Sequence, residues 1–237
     1  MLDAITASHI AMLQDKAKLE SISQNVANMQ TPGYKRELTE NIGFDEQLQA
    51  QMTTVTQQLQ HSTQYSQGAF TQSRLPNELA LAGDGYFEVQ TSEGVFYTRR
   101  GDFHVNEQGE LATPTGAKLL GKGGILRVDD NPFTIDSNGN LLIDNHKVEQ
   151  VSIVRFSNPQ ALNYLGQGLY TSEESPLPAN DTTRVLQGFI EQSNVKSIDE
   201  MLEMIKTSRH FESSQRVMRV ADELMSTAIH QLGEGNV

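Results

Sequence analysis

The sequence predicts an α+β protein: long N- and C-terminal helices that pair as a coiled-coil domain, with an antiparallel all-β domain inserted between them. Three observations carry this. Residues 3–29 and 198–232 contain no Gly or Pro and repeat apolar residues every seven positions. Between about Pro76 and Ser175, short β-branched and aromatic runs alternate with Gly, Asn and Asp turns. The heptad stripes also lie at the two extreme ends of the chain, where helices are hard to bury, so each needs a partner.

At the N-terminal end the repeating row is Ile5, Met12, Leu19 and Val26. Ile22 and Met29 supply the three-residue offset of a coiled-coil seam, and Ser8 and Asp15 weaken that second row. Thr31-Pro32-Gly33 stops the helix, because Pro disfavours helical dihedrals at Thr31 and Gly permits the turn. At the C-terminal end Ser197-Ile198-Asp199-Glu200 reads as a capping box. Met204, Phe211, Met218, Met225 and Leu232 then form an unbroken heptad row. The companion row of Thr207, Ser214, Ala221 and Ala228 is small, which lets a partner helix approach closely. At about 1.5 Å per residue this helix is roughly 50 Å long. The candidate assembly interface is therefore Ile5, Met12, Leu19, Ile22 and Val26 with Met204, Phe211, Met218, Met225 and Leu232.

The middle divides in two. Residues 37–75 are rich in Gln from Gln47 to Gln72 and poor in aromatics, so this stretch buries little surface alone. Helix, extended arm and mobile linker all remain open for it. In the β region Tyr86-Phe87-Glu88-Val89 and Val95-Phe96-Tyr97-Thr98, joined by Thr91-Ser92-Glu93-Gly94, read as a hairpin. A nine-residue pattern beginning at Phe103 recurs at Phe133: aromatic, β-branched residue, Asn or Asp, Gly, then Leu. Each copy reads as strand, Gly turn, strand. Val148 to Phe156 reads as one further strand. The resulting domains are 1–34 (N-terminal helix), 35–75 (Gln-rich connecting arm), 76–185 (β domain) and 186–237 (C-terminal helix).

Composition narrows the function. The 237 residues carry 18 basic and 30 acidic side chains, a net charge of −12, which disfavours nucleic acid and anionic lipid as partners. There is no Cys, so disulfides and thiolate metal sites are excluded. Met1-Leu2-Asp3-Ala4 opens no signal peptide of the Sec type, and no apolar run approaches the roughly 18–20 residues of a membrane span. The six histidines are scattered, with no i, i+4 ligand pair. Gly116–Gly124 lacks the Gly-Lys-Ser/Thr ending of a phosphate loop. Asp136-Ser137-Asn138-Gly139-Asn140 lacks the Gly and the bidentate Glu of a calcium loop and reads as a hairpin turn. No catalytic, cofactor-binding or metal-ligating residue is nominated, and no enzyme, cofactor or small-molecule substrate is expected.

Two motifs are specific. Ser23-Gln24-Asn25-Val26-Ala27-Asn28-Met29-Gln30-Thr31-Pro32-Gly33-Tyr34-Lys35-Arg36 resembles the N-terminal signature of flagellar rod and hook axial proteins. Gly188-Phe189-Ile190-Glu191-Gln192-Ser193-Asn194-Val195 resembles the C-terminal one, and Arg209-His210-Phe211-Glu212 follows it. Gly83-Asp84-Gly85-Tyr86-Phe87 and Tyr97-Thr98-Arg99-Arg100-Gly101-Asp102-Phe103 are similar to the family's central motifs. Gln24 and Met29-Gln30 depart from the usual form. The family motif residues carried over are Asn25, Asn28, Thr31, Pro32, Gly33, Tyr34, Gly188, Glu191, Ser193, Asn194 and Val195. Asn25 and Asn28, near a helix end, are placed to satisfy backbone carbonyls there.

The resemblance implies a structural subunit of the basal-body rod, built into a helical tube that transmits torque and forms part of the export channel. It implies self-association, contact with other rod and hook proteins, and export by the flagellar type III apparatus to the periplasm-spanning rod without a cleaved signal peptide. The length leaves no room for the extra outer domain of hook proteins, and proximal and distal rod stay open. The alternative is a secreted β-domain binding protein, for carbohydrate for example, with helical oligomerisation tails.

Overall fold

The structure, a computed structural model, describes residues 2–40, 60–129, 131–180 and 182–234. Residues 41–59 of the Gln-rich arm therefore lie outside the described residues. The chain divides into two compact units. One comprises Met1–Ala27, Glu37–Gln64 and Lys196–Val237, and the other Asn28–Arg36 and Tyr65–Val195.

The first unit is built on two helices, α1 (Leu2–Ala27) and α2 (Ser197–Glu234). They pack together antiparallel: His210 Nδ1 lies 2.6 Å from Asp15 Oδ2, Lys18 Nζ donates to Glu203 Oε2 at 2.9 Å, and Asn25 Nδ2 to Glu200 Oε2 at 3.2 Å. Strand Glu37–Glu40 pairs with Gln60–Thr63 and packs on α1.

This arrangement overturns the coiled coil. Knobs-into-holes packing needs apolar residues in the contact rows. Here the buried residues of the helix pair are largely polar: Asp15, Ser21 and Asn25 on α1, and Glu200, Thr207 and Ser214 on α2. Of the ten residues read as the seam only Ile22 is buried. Ile5, Met12, Leu19, Val26, Met204, Phe211, Met218 and Met225 are half-buried, and the Leu232 side chain lies outside the described residues. The row that looked weakened by Ser8 and Asp15 is buried on α1 at Asp15 and Ile22, and Asp15 meets His210.

In the second unit every strand pairing is antiparallel. Tyr86–Thr91 is its axis, flanked by Gly94–Thr98 on one side and by Lys118–Gly121 and Ile153–Arg155 on the other. Leu79, Leu81, Phe87, Val89, Phe103, Leu111, Leu119, Leu126, Leu141 and Val185 form one core, and Tyr86, Tyr97, Phe156, Leu162 and Tyr170 a second, aromatic one. The two repeated segments are one device used twice. Asn106 Oδ1 accepts from the backbone of Gln108 and Glu110, and Asp136 Oδ1 from Asn138 and Asn140, all at 2.9–3.0 Å. Such side-chain caps hold the tight turn in which Gly109 and Gly139 take positive φ. Each of these glycines accepts at its carbonyl from a buried valine, Val128 or Val151, at 2.8 Å.

The segment expected as one strand, Val148 to Phe156, is two. His146–Gln150 pairs with Asn140–Ile143, whereas Ile153–Arg155 pairs with Tyr86–Thr91. The change of partner falls at Val151-Ser152, where Val151 donates to Gly139 and bridges Gly121.

Each unit holds an ionised carboxylate that links stability to pH. Glu110 is buried in the second unit and bonded to Lys118 (2.8 Å), Asn106 (3.1 Å) and Arg127 (3.0 Å). Hydrogen bonding, from Lys118 first and Asn106 next, holds its carboxyl down at about 2 against the opposing effect of burial. Glu203 in the first unit is likewise held at about 2, by Lys18 and then Lys206. Both values lie below the usual 4.5. The unfolded chain therefore binds protons that the folded chain does not, so stability is full above about pH 4.5 and falls as pH drops towards about 2. Melting temperatures taken across that window should decline, and Glu110→Gln should flatten the slope. A melting temperature constant across the window would refute this linkage.

Candidate assembly site

The two chain-end motifs meet inside the second unit. The Gly33 N–H donates to the Glu191 carbonyl at 2.8 Å, Arg36 N–H to Asn194 Oδ1 at 2.7 Å, and Gln192 N–H to the Ala69 carbonyl at 2.8 Å. Tyr34 is buried and meets Tyr164 edge-on, with ring centroids 5.7 Å apart. Thr31 N–H donates to the Asn28 carbonyl and Thr31 Oγ1 to Asn28 Oδ1, so Thr-Pro-Gly-Tyr is a locked turn with Pro32 half-buried. Gly33 stands at φ +68, and a Cβ there would lie 2.4 Å from the Arg99 carbonyl oxygen; only Gly fits on both counts.

A buried ionic cluster sits at the centre of this junction. Lys35 Nζ lies 2.6 Å from Glu191 Oε1, with both side chains 1% exposed. Lys35 also donates to the Ser66 carbonyl, and the Gly68 N–H donates to Glu191 Oε1. The second Glu191 oxygen accepts no hydrogen bond but lies 3.6 Å from Arg99 Nε. Arg99 donates to the Gly83 and Leu81 carbonyls and lies over the Tyr86 ring. Burial pulls the Lys35 pKa below the usual lysine value; the Glu191 charge opposes that shift and Arg99 adds to it. Two cations around one carboxylate, closed off from water, make a structural lock and not an acid–base pair.

The remaining motif residues serve the same junction or the helix pair. Gly188 donates to the Glu78 carbonyl and accepts from Ser73. Ser193 Oγ accepts from the Val195 N–H, and Asn194 donates to Ser66. In the helical unit, Asn25 pairs with the backbone of Glu37 through both amide atoms, at 2.8 Å each.

Helix α2 carries a feature that sequence reading missed. Turned away from the Thr207–Ser214 row are Ile198, Met201, Leu202 and Ile205, and further along Val217, Val220 and Leu224, all at least half exposed, Ile198 at 74%. Their i, i+3, i+4, i+7 spacing was the available signal. Among the described residues no cluster of His, Cys, Asp or Glu fits a metal ion.

Comparison with known proteins agrees with this layout. The family model described as flagellar hook protein FlgE/F/G D1 domain matches residues 80–154, and the one described as flagellar basal body rod FlgEFG protein C-terminal matches 186–231. Together they cover just over half of the chain, including the Arg99 and Glu191 arms of the ionic cluster. The chain belongs to the flagellar rod and hook axial-protein family. The flagellar basal-body rod protein FlgG of Bacillus subtilis is 29% identical over 265 aligned residues, spanning 97% of this chain and 99% of that one. FlgF of Caulobacter vibrioides is 29% identical over 93% of this chain and 94% of its own length. FlgF of Mesorhizobium japonicum is 27% identical over 98% and 99%. These flagellar relatives are structural proteins of the basal-body rod, and they give no support to the carbohydrate-binding alternative.

Proposed function

We propose that the chain is a structural subunit of the bacterial flagellar basal-body rod, without enzymatic activity, that assembles with itself and with other rod and hook proteins into a tube that transmits torque and lines the export path. Its place in the flagellar basal body follows from its family. Delivery as an unfolded chain by the flagellar type III apparatus fits that family, and no helix among the described residues is long and apolar enough to cross a membrane. The observation that carries the assembly reading is the exposed apolar face of α2. A soluble chain that leaves seven large apolar side chains of one helix in water has a use for that surface in contact with another chain. The half-buried row of Met204, Phe211, Met218 and Met225 adds apolar area that neighbouring subunits can finish burying. The buried junction ties residues 33–36 to residues 191–194 within the second unit.

Val220→Glu tests this. Val220 is 55% exposed, so the change should move the free chain's stability by under about 0.5 kcal/mol. In an assembled tube the same change buries an unpaired carboxylate at every subunit. The variant should fold normally, vanish from purified basal bodies and leave cells non-motile. Normal swimming with Val220→Glu would remove α2's outer face from the assembly.

A further inference from the structure

The second unit contains an arginine, Arg155, that forms no ion pair among the described residues. Arg155 ends the strand Ile153–Arg155, between Tyr86–Thr91 and Leu177–Pro178. Its side chain is half-buried, its Nε is buried without a hydrogen-bond partner, and among the described residues the guanidinium takes part in no ion pair. It lines a cavity of about 280 Å³ shared with Tyr65, Asp84, Tyr86, Phe156 and Asn180.

The cavity wall selects the chemistry. Lys35 and Arg99 also reach it, but their charges are already engaged by Glu191 and by backbone carbonyls. Arg155 is the cation left over, and Asp84 is an exposed carboxylate on the same wall. Lys35, Arg99 and Arg155 set against Glu191 and Asp84 leave one net positive charge, which suits a monoanion better than a doubly charged phosphate. A guanidinium presents parallel N–H donors that match a planar carboxylate. Tyr86 and Phe156, both buried, line the same cavity, and surroundings of low polarity strengthen such a pair. The ample source of carboxylates is the chain itself, with 30 acidic against 18 basic residues.

We propose that the Arg155 cavity receives the carboxylate of an Asp or Glu side chain from a neighbouring copy of this chain, forming a subunit contact on the β unit. This rests on the rod-subunit reading above. Among the described residues the Arg155 Nε has no hydrogen-bond partner, so substitutions there separate assembly from folding.

The experiment uses full-length chains expressed in a strain deleted for the gene. Arg155→Glu should lower the amount of chain in purified basal bodies about tenfold or more, and Arg155→Gln should lower it less. Arg155→Lys should keep most of it, and purified Arg155→Glu should melt with the unmodified protein. An Asp or Glu to Arg change elsewhere in the chain should restore Arg155→Glu. If Arg155→Glu itself melts lower, Arg155→Gln against Arg155→Lys decides, and equal incorporation of those two overturns the proposal. So does normal incorporation of Arg155→Glu. Arg155-dependent micromolar binding of free glutamate or acetate to the purified chain would assign the cavity to a small molecule and overturn it as well. Complete rods in the deletion strain would instead sink the rod reading. Rods lost on deletion but rebuilt by Arg155→Glu would sink the cavity proposal alone.

Discussion

Glu191→Ala should destabilise the chain by about 3–5 kcal/mol, because it leaves Lys35 and Arg99 as uncompensated charges in a closed site. In the folded chain Glu191 is the carboxylate between them, at 2.6 and 3.6 Å. The substitution also orphans the Gly68 N–H. For a chain of this size each kcal/mol shifts the melting temperature by about 2–4 °C, so a fall on the order of 10 °C is expected. Lys35→Met with Glu191→Leu should cost less than Glu191→Ala alone. The double change leaves only Arg99, which the Gly83 and Leu81 carbonyls already hold. The single variant should also recover part of its loss as pH rises. Burial already lowers Lys35's folded pKa, and loss of Glu191 removes the charge that opposes the shift. Between the folded value and the usual 10.5 the unfolded chain binds a proton that the folded chain lacks, so stability climbs with pH there. Thermal melts at neutral and alkaline pH measure both effects. A Glu191→Ala melt within about 2 °C of the unmodified chain would mean that water reaches the cluster.

This cluster marks the limit of what the sequence reveals. The motifs around Tyr34 and Asn194 are legible as strings of residues, as is the repeated turn, because Asn106 and Asp136 hold backbone groups only two and four residues away. The Lys35–Glu191 pair spans 156 positions, and no local pattern encodes it. The terminal helices show the same division. Their existence follows from the lack of Gly and Pro, but their contact row does not follow from apolarity. Asp15, Asn25 and Glu200 are tolerable inside the pair only because each finds a partner on another element. Heptad counting ranks residues by hydrophobicity and so underrates the polar positions, Asp15, Thr207 and Ser214, that are buried in the pair. The apolar face of α2 was legible in principle: Ile198, Leu202 and Ile205 follow helical spacing, as do Val217, Val220 and Leu224. The more regular seven-residue row drew attention from it.

Gly101→Ala should be comparably damaging, for a purely steric reason. A Cβ at Gly101 would stand 1.5 Å from the Leu79 carbonyl oxygen and 2.7 Å from its carbon, far inside van der Waals contact. Neither atom belongs to a side chain that can swing aside. Leu79 is fully buried in the main core, donates its N–H to the Gly101 carbonyl at 2.9 Å, and opens the strand Leu79–Ala82. That strand pairs residue for residue with Arg184–Gln187. Making room for the methyl group means drawing Leu79 out of the core or breaking its bond to Gly101, and either move disturbs the next strand. Neighbouring Arg100 and Asp102 are tied to each other by two hydrogen bonds of 3.0 and 2.7 Å, so the loop has little slack of its own. Overpacking of this kind costs about 3 kcal/mol or more when backbone must shift. Gly116→Ala is the matched control: a Cβ there meets nothing within 4 Å, and the cost is limited to its positive φ, about 1–2 kcal/mol. Denaturant midpoints of the two variants compare clash with conformational strain directly. Equal midpoints would mean that the approach of Leu79 to Gly101 relaxes freely, and the strand would then not be pinned at that point.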